Sequence, residues 1–306
     1  MHVEHTSPHG GNGPETSGGT SLWAEAWRRL RRNRIAMVCL AVVAVYTLLA
    51  LYGEAVYQYY EWTDTTPAYR TAHMDRTYQP PGPEHWMGTD GLGRDVLQRL
   101  VQGTRIAYHV GIITSLIAIP IGVVLGCIAG YFGGRVDDFV VWLYSTFAAI
   151  PGLLFILAIA MVVGKGLLGV YLGIGLTTWV SLCRLIRGEV IKHKAQPYVT
   201  AAQALGMHPL RIVFRHILPN VLHVVIVTFT LRFPAAVGTE VFMSFLGIGA
   251  ESEPSWGIMI SSARLRLWQG VWWEMTFVTL AIFLLVLAFN LLGDALRDAL
   301  DPRLRT

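Results

Sequence analysis

Charge is what this sequence has least of. Asp, Glu, Lys and Arg make up 14% of its 306 residues, against about a quarter in an ordinary soluble domain. Apolar residues make up 53%, so the balance argues against a water-soluble globule and points to lipid as the solvent. Cysteine is nearly absent. Cys39, Cys127 and Cys183 stand far apart with no CxxC pair, which leaves no disulfide framework and no paired-cysteine metal site. No HExxH occurs and the ten histidines are scattered. Gly164-Lys165-Gly166 lacks the Ser or Thr that follows the lysine of a phosphate loop, and GLGRD (91–95) places Val96 where a dinucleotide fingerprint needs glycine. No serine sits in a GxSxG elbow. An enzyme reading has nothing to rest on, and neither a cofactor nor nucleic acid is expected on this chain.

Long charge-free stretches are present instead: 35–53, 106–134, 139–164, 166–183 and 275–293. Roughly 20 apolar residues cross a hydrocarbon core as a helix, and in lipid a lone strand leaves its backbone unsatisfied. A sixth run, 221–243, contains Arg232 and Glu240. The expectation is an all-α integral membrane protein with six transmembrane helices. Residues 1–20, rich in Gly, Ser, Thr, Pro and His, read as a disordered tail. Residues 21–34 read as a basic helix lying at the membrane interface. The basic region is far from the start and the following run is long, so no cleavable signal peptide is expected.

Five arginines between 28 and 34 abut the first span. Placing them inside puts fifteen of the 24 Lys and Arg residues on the cytoplasmic side, and that bias sets both termini in the cytoplasm. The expected organisation is 35–105 as first span plus extracytoplasmic segment, 106–295 as core membrane domain and 296–306 as cytoplasmic tail. The end of the first segment, 93–105, reads as a short interfacial helix ahead of the second span. Residues 244–273 read either as a half-helix at the outer mouth or as a plain loop.

Between the fourth and fifth spans lies RLIRGEVIKHKAQPYVTAAQALGMHPLRIVFRHILPN (184–220). Pro197 can open a helix, since its missing N–H is not needed in the first turn. Gly206 can end it, and Pro209 can start another at an angle. The small Ala201, Ala202 and Ala204 would let another surface approach closely. The segment is either a rigid helix–turn–helix built to be gripped or an ordinary amphipathic connector. The i,i+8 spacing of Arg232 and Glu240 is expected to place both within about one helix face, about 12 Å apart, too far to pair. Charges inside a membrane face a cavity or a partner. They read as pathway lining, with Arg232 meeting a carboxylate, or as a snorkelling or subunit-paired arginine and a glutamate marking the outer end.

The 184–220 segment resembles the cytoplasmic motif of bacterial ABC importer membrane subunits: Glu-Ala-Ala, three residues, Gly, nine residues, Ile-x-Leu-Pro. Here it reads Thr200-Ala201-Ala202, then Gly206, then His216-Ile217-Leu218-Pro219. Thr200 takes the acidic position and His216 that of the isoleucine. HWMGTDGLGRDVLQRLVQGTRIA (85–107), GCIAGYFGGRVDD (126–138), SFLGIGAESEPSWGIMI (244–260) and LAFNLLGDALRDALDPRLR (287–305) look like the C-type subunit of dipeptide/oligopeptide permeases, in matching order. The resemblance implies a type I ABC importer transmembrane domain in the bacterial inner membrane, with a coupling helix between spans 4 and 5 inside 187–220. It implies a sister permease, two cytoplasmic ATPases carrying ATP and Mg, and an extracytoplasmic binding protein. It also implies Thr200, Ala201, Ala202, Leu205, Gly206, Leu218 and Pro219 as ATPase-coupling residues. Ala201, Ala202 and Leu205 would make the contact, and Gly206 and Pro219 would fix the shape. The cargo implied is a di- or oligopeptide. A nickel complex, sugar or peptide-like antibiotic in the same architecture, or a stand-alone secondary transporter, stay open.

Overall fold

The computed structural model describes residues 22–249 and 253–300, and every regular element among them is helical. The expected tail at 1–20 and the end of the expected cytoplasmic tail, 301–306, lie outside the described residues. α1 (Leu22–Arg32) leads into α2 (Arg34–Thr63), which Asn33 caps, its side-chain oxygen accepting from the Ala36 N–H at 3.2 Å. Then follow α3 (Val96–Phe132), α4 (Gly134–Ala149), α5 (Gly152–Val163), α6 (Leu167–Thr177) and α7 (Trp179–Lys194). The short α8 (Pro197–Ala204) and α9 (Pro209–Ile212) precede α10 (Leu218–Phe245), α11 (Trp256–Ala263) and α12 (Trp273–Leu300). The apolar runs force this outcome, since a helix satisfies its backbone without water.

Three expected limits change. The interfacial helix expected over 93–105 is the outer end of α3, which runs unbroken from a cap at Asp95, accepting from the Gln98 N–H at 3.0 Å. A boundary at 105/106 therefore falls inside one helix. The 139–164 run is not one straight span: α4 and α5 meet at 89°. Ile150 is extended and Pro151 precedes α5, because a residue before proline avoids the helical region. Among the described residues five stretches are long and apolar enough to cross a bilayer, or six if this bent pair is counted as one broken span. The third change is in 244–273, where α11 is buried against α3, α10 and α12 and a 3-10 turn, Leu267–Gln269, follows.

Two features hold the helices in place. α3 packs on α7 along Gly122, Gly126 and Gly130; a methyl group at Gly126 would sit 2.8 Å from the Cys183 carbonyl oxygen. Glycines four apart share a helix face, and close backbone approach supplies the packing that holds helices together in lipid. At the outer end, Glu253 accepts from Arg70 and, at 2.9 Å, from Arg105. Arg105 also pairs with Glu54 at 3.4 Å and lies 3.8 Å over the Tyr57 ring. Trp256 and Trp273 donate their indole N–H groups to the carbonyls of Leu100 (3.1 Å) and Thr89 (3.0 Å). The GLGRD stretch adjoins a turn organised by Asp90, which accepts from the backbone N–H groups of Leu92 and Arg94 and pairs with Arg99.

Candidate functional site

α8 starts at Pro197 and stops at Gly206, whose φ of +71° is left-handed. The N–H groups of Gly206 and Met207 bond back to the carbonyls of Gln203 (2.9 Å) and Ala202 (3.1 Å). This doubly bonded C-terminus satisfies carbonyls that a frayed helix would leave to water. α9 then continues through a π-helical turn, Val213–Ile217, into α10. Pro219 has no N–H to offer its own turn. The preceding turn widens, with the Leu218 N–H reaching back five residues to the Val213 carbonyl.

The sides of α8 are unequal. Val199 and Ala202 are buried in a cluster with Ile186, Val190, Ile212 and Val213, while Thr200 and Ala201 are exposed and Leu205 is 83% exposed. Of the contact residues expected, Ala201 and Leu205 therefore face outward and Ala202 does not. Its methyl group packs inward because 199 and 202 share the face that lies on the bundle. The Thr200 hydroxyl donates to the Gln196 carbonyl at 3.3 Å, so the side chain at the acidic position turns back on its own helix. Leu218 is half-buried against the same cluster and Pro219 is exposed. Gln203 donates to the Tyr131 hydroxyl at 3.3 Å, and Tyr198 hydrogen-bonds His193 at 2.9 Å. Burial raises the Tyr198 phenol above its ordinary range, keeping it protonated.

Arg232 and Glu240 do not share a surface. Eight residues turn a helix by about 80° beyond two full turns, enough to send them different ways. Arg232 donates to both the carbonyl and the hydroxyl of Thr178. Thr178 stands at the break between α6 and α7, where a helical carbonyl loses its usual partner. Arg232 also lines a cavity of about 360 Å³ with Thr177, Ser181, Arg184 and Thr239. Glu240, expected on the same pathway, is instead 1% exposed inside the bundle and accepts from the Ser244 hydroxyl at 2.6 Å. The cavity's other polar residues were not singled out from sequence. Hydroxyls at 177, 178 and 181 inside a charge-free run, with Arg184 directly after it, were the available signal.

Residues 122–306 match the family described as binding-protein-dependent transport system inner membrane component. Residues 21–81 match the N-terminal TM domain of oligopeptide transport permease C. The chain is 37% identical over 286 residues to the oligopeptide transport system permease protein OppC of Bacillus subtilis, covering 93% of this chain and 91% of that protein. It is 37% identical over 288 residues to the dipeptide transport system permease protein DppC of the same organism, covering 93% and 87%. The glutathione transport system permease protein GsiD of Pectobacterium atrosepticum is 35% identical over 285 residues, covering 93% and 92%. A solved chain from inward-facing conformations of the MetNI methionine ABC transporter superposes with a TM-score of 0.52 at 17% identity, covering 67% of this chain and 96% of that one. At that identity the likeness is one of fold. The chain belongs to the inner membrane components of binding-protein-dependent transport systems, as a multi-pass membrane permease with the fold of an ABC transporter subunit.

Proposed function

We propose that this permease imports small peptides, sharing its pathway with a sister permease and driven by two cytoplasmic ATPases that hold ATP and Mg. An extracytoplasmic binding protein delivers the cargo. The similarity to permeases named for oligopeptides, dipeptides and glutathione, each across more than nine-tenths of this chain, supports the cargo class.

The coupling element in this reading is α8. The observation that carries it is the exposed face of Thr200, Ala201 and Leu205 on a helix whose far side is locked by Ala202 and whose end is fixed at Gly206. A cleft on an ATPase would take the Leu205 side chain, and closure of the nucleotide sites would move α8 as a rigid piece with α9. Pro219 and Leu218 tie that movement to α10. The test is co-purification of an ATPase with the tagged permease, followed by peptide uptake with the ATPase disabled. Uptake that persists without ATP hydrolysis would favour a stand-alone transporter and end this reading.

A further inference from the structure

The face between α7 and α10 differs from the rest of the bundle surface. Outward side chains of α2 (Val38, Val45, Leu48) and of α12 (Leu280, Phe283, Leu287) are apolar, as contact with lipid requires. The α7–α10 cavity is instead lined by Arg184, Arg232, Thr177, Thr178, Ser181 and Thr239 alongside small and apolar residues, with no acidic side chain among its lining. Arg232 stands halfway along α10. A guanidinium left facing hydrocarbon at that depth is strongly disfavoured, so the opening faces water or protein.

The donors in this cavity are only partly used. Two nitrogens of Arg232 are fixed by Thr178, which holds the side chain in place, while its Nε–H is buried with no acceptor among the described residues. Arg184 lies six residues beyond Thr178 along α7, about 9 Å toward the cytoplasmic end. Its guanidinium stacks 4.7 Å over the Tyr144 ring, an arrangement that leaves the N–H edges free to donate. The hydroxyls of Thr177, Thr178 and Thr239 donate to carbonyls one turn back, at 2.8, 2.6 and 2.9 Å, and a hydroxyl can turn from such a bond to donate to whatever enters.

We infer that this cavity is an anion subsite, and that it takes the carboxylate of the cargo as the cargo passes. The identity of the cargo rests on the peptide-importer reading; the preference for an anion does not. Arg232 supplies the first contact, the hydroxyls of Ser181 and Thr239 line the way, and Arg184 carries the same positive field toward the cytoplasm. A cationic metal complex would be repelled here, and a neutral sugar would leave both guanidinium groups without an ionic partner.

The experiment uses the assembled transporter with its partner subunits and has two arms, each read at equal amounts of complex. In the first, Ser181→Cys is reacted with negatively and positively charged methanethiosulfonates. Each rate is taken relative to a free thiol in solution, after subtracting the background of the unmodified chain. The anionic reagent reacts about tenfold faster, and the ratio falls toward one when Arg232→Gln is added. Equal rates, or a preference for the cationic reagent, overturn the anion subsite whatever the cargo.

In the second arm, uptake of a dipeptide is compared with uptake of its C-terminal amide. Arg232→Gln lowers uptake of the free acid about tenfold, the loss of one charge-assisted hydrogen bond, and leaves the amide unchanged. Arg232→Lys keeps part of the preference. Equal loss of acid and amide overturns the carboxylate assignment. Absence of any peptide uptake by the unmodified transporter, with the reagent preference intact, overturns the peptide reading and supports an anion subsite for another cargo.

Discussion

At the outer end of the bundle, Glu253 meets Arg70 and Arg105, Arg105 stacks on Tyr57, and two tryptophans reach backbone carbonyls in other segments. At the inner end, α8 rests on the bundle by Val199 and Ala202, is steadied by Gln203 on Tyr131, and leaves Leu205 in the open. The outer network ties together residues 148 and 183 positions apart. The backbone bonds that shape α8 span only a few positions, such as Met207 to Ala202, with the Gln203 side chain to Tyr131 the longer tie. Long-range ties join segments of the outer end that are distant in sequence. Local bonds set the shape of the inner end, apolar contact docks one side of it on the bundle, and its other side is left free.

Breaking the outer end should cost stability first. Arg105→Ala leaves Glu253 with a buried charge and one partner fewer, an effect of about 3–5 kcal/mol, visible as a large drop in the thermal midpoint of the purified protein. Ala202→Phe tests the reassignment of that residue: overpacking the junction below α8 should cost about 1–3 kcal/mol and lower the yield of folded protein. Were stability unchanged and only transport lost, Ala202 would belong to the outward face after all. Gly206→Ala forces a left-handed φ on a residue with a Cβ, for roughly 1 kcal/mol, and should loosen only α8, measured as faster amide exchange over 197–207. Leu205→Asp sits at the far end of the comparison. Stability should change by no more than about 0.5 kcal/mol, while ATPase co-purification and uptake are lost.

The spans were legible because hydrocarbon enforces a simple rule, the exclusion of charge over a fixed length. α8 was legible because proline and glycine punctuate locally at 197, 206 and 209. What was not legible depended on direction and distance. Ala201 and Ala202 are alike in type, and only the docking of α8 decides which faces inward. Arg232 announced itself as an intramembrane charge, but its acceptor is the carbonyl of a helix break 54 residues away. Glu253 gave no sign of its two arginines, since ion pairs across such separations leave no periodic trace. The bend at 150–151 did have a signal in Pro151, overridden by the continuous apolar run around it.

The glycine seam between α3 and α7 has a mechanical meaning. α7 passes into α8 through only Ala195 and Gln196, while α3, at 37 residues, extends about 55 Å up to the ion pairs at the outer end. Backbones pressed together at Gly122, Gly126 and Gly130 have no room to slide past one another. A shove delivered to α8 would pass through α7 to α3 at this seam, with Pro120, which cannot donate to the helix ladder, standing between the seam and the outer end. If α8 is the coupling element proposed above, Leu205 would be the handle of a lever whose far arm ends near Arg105, at the outer mouth.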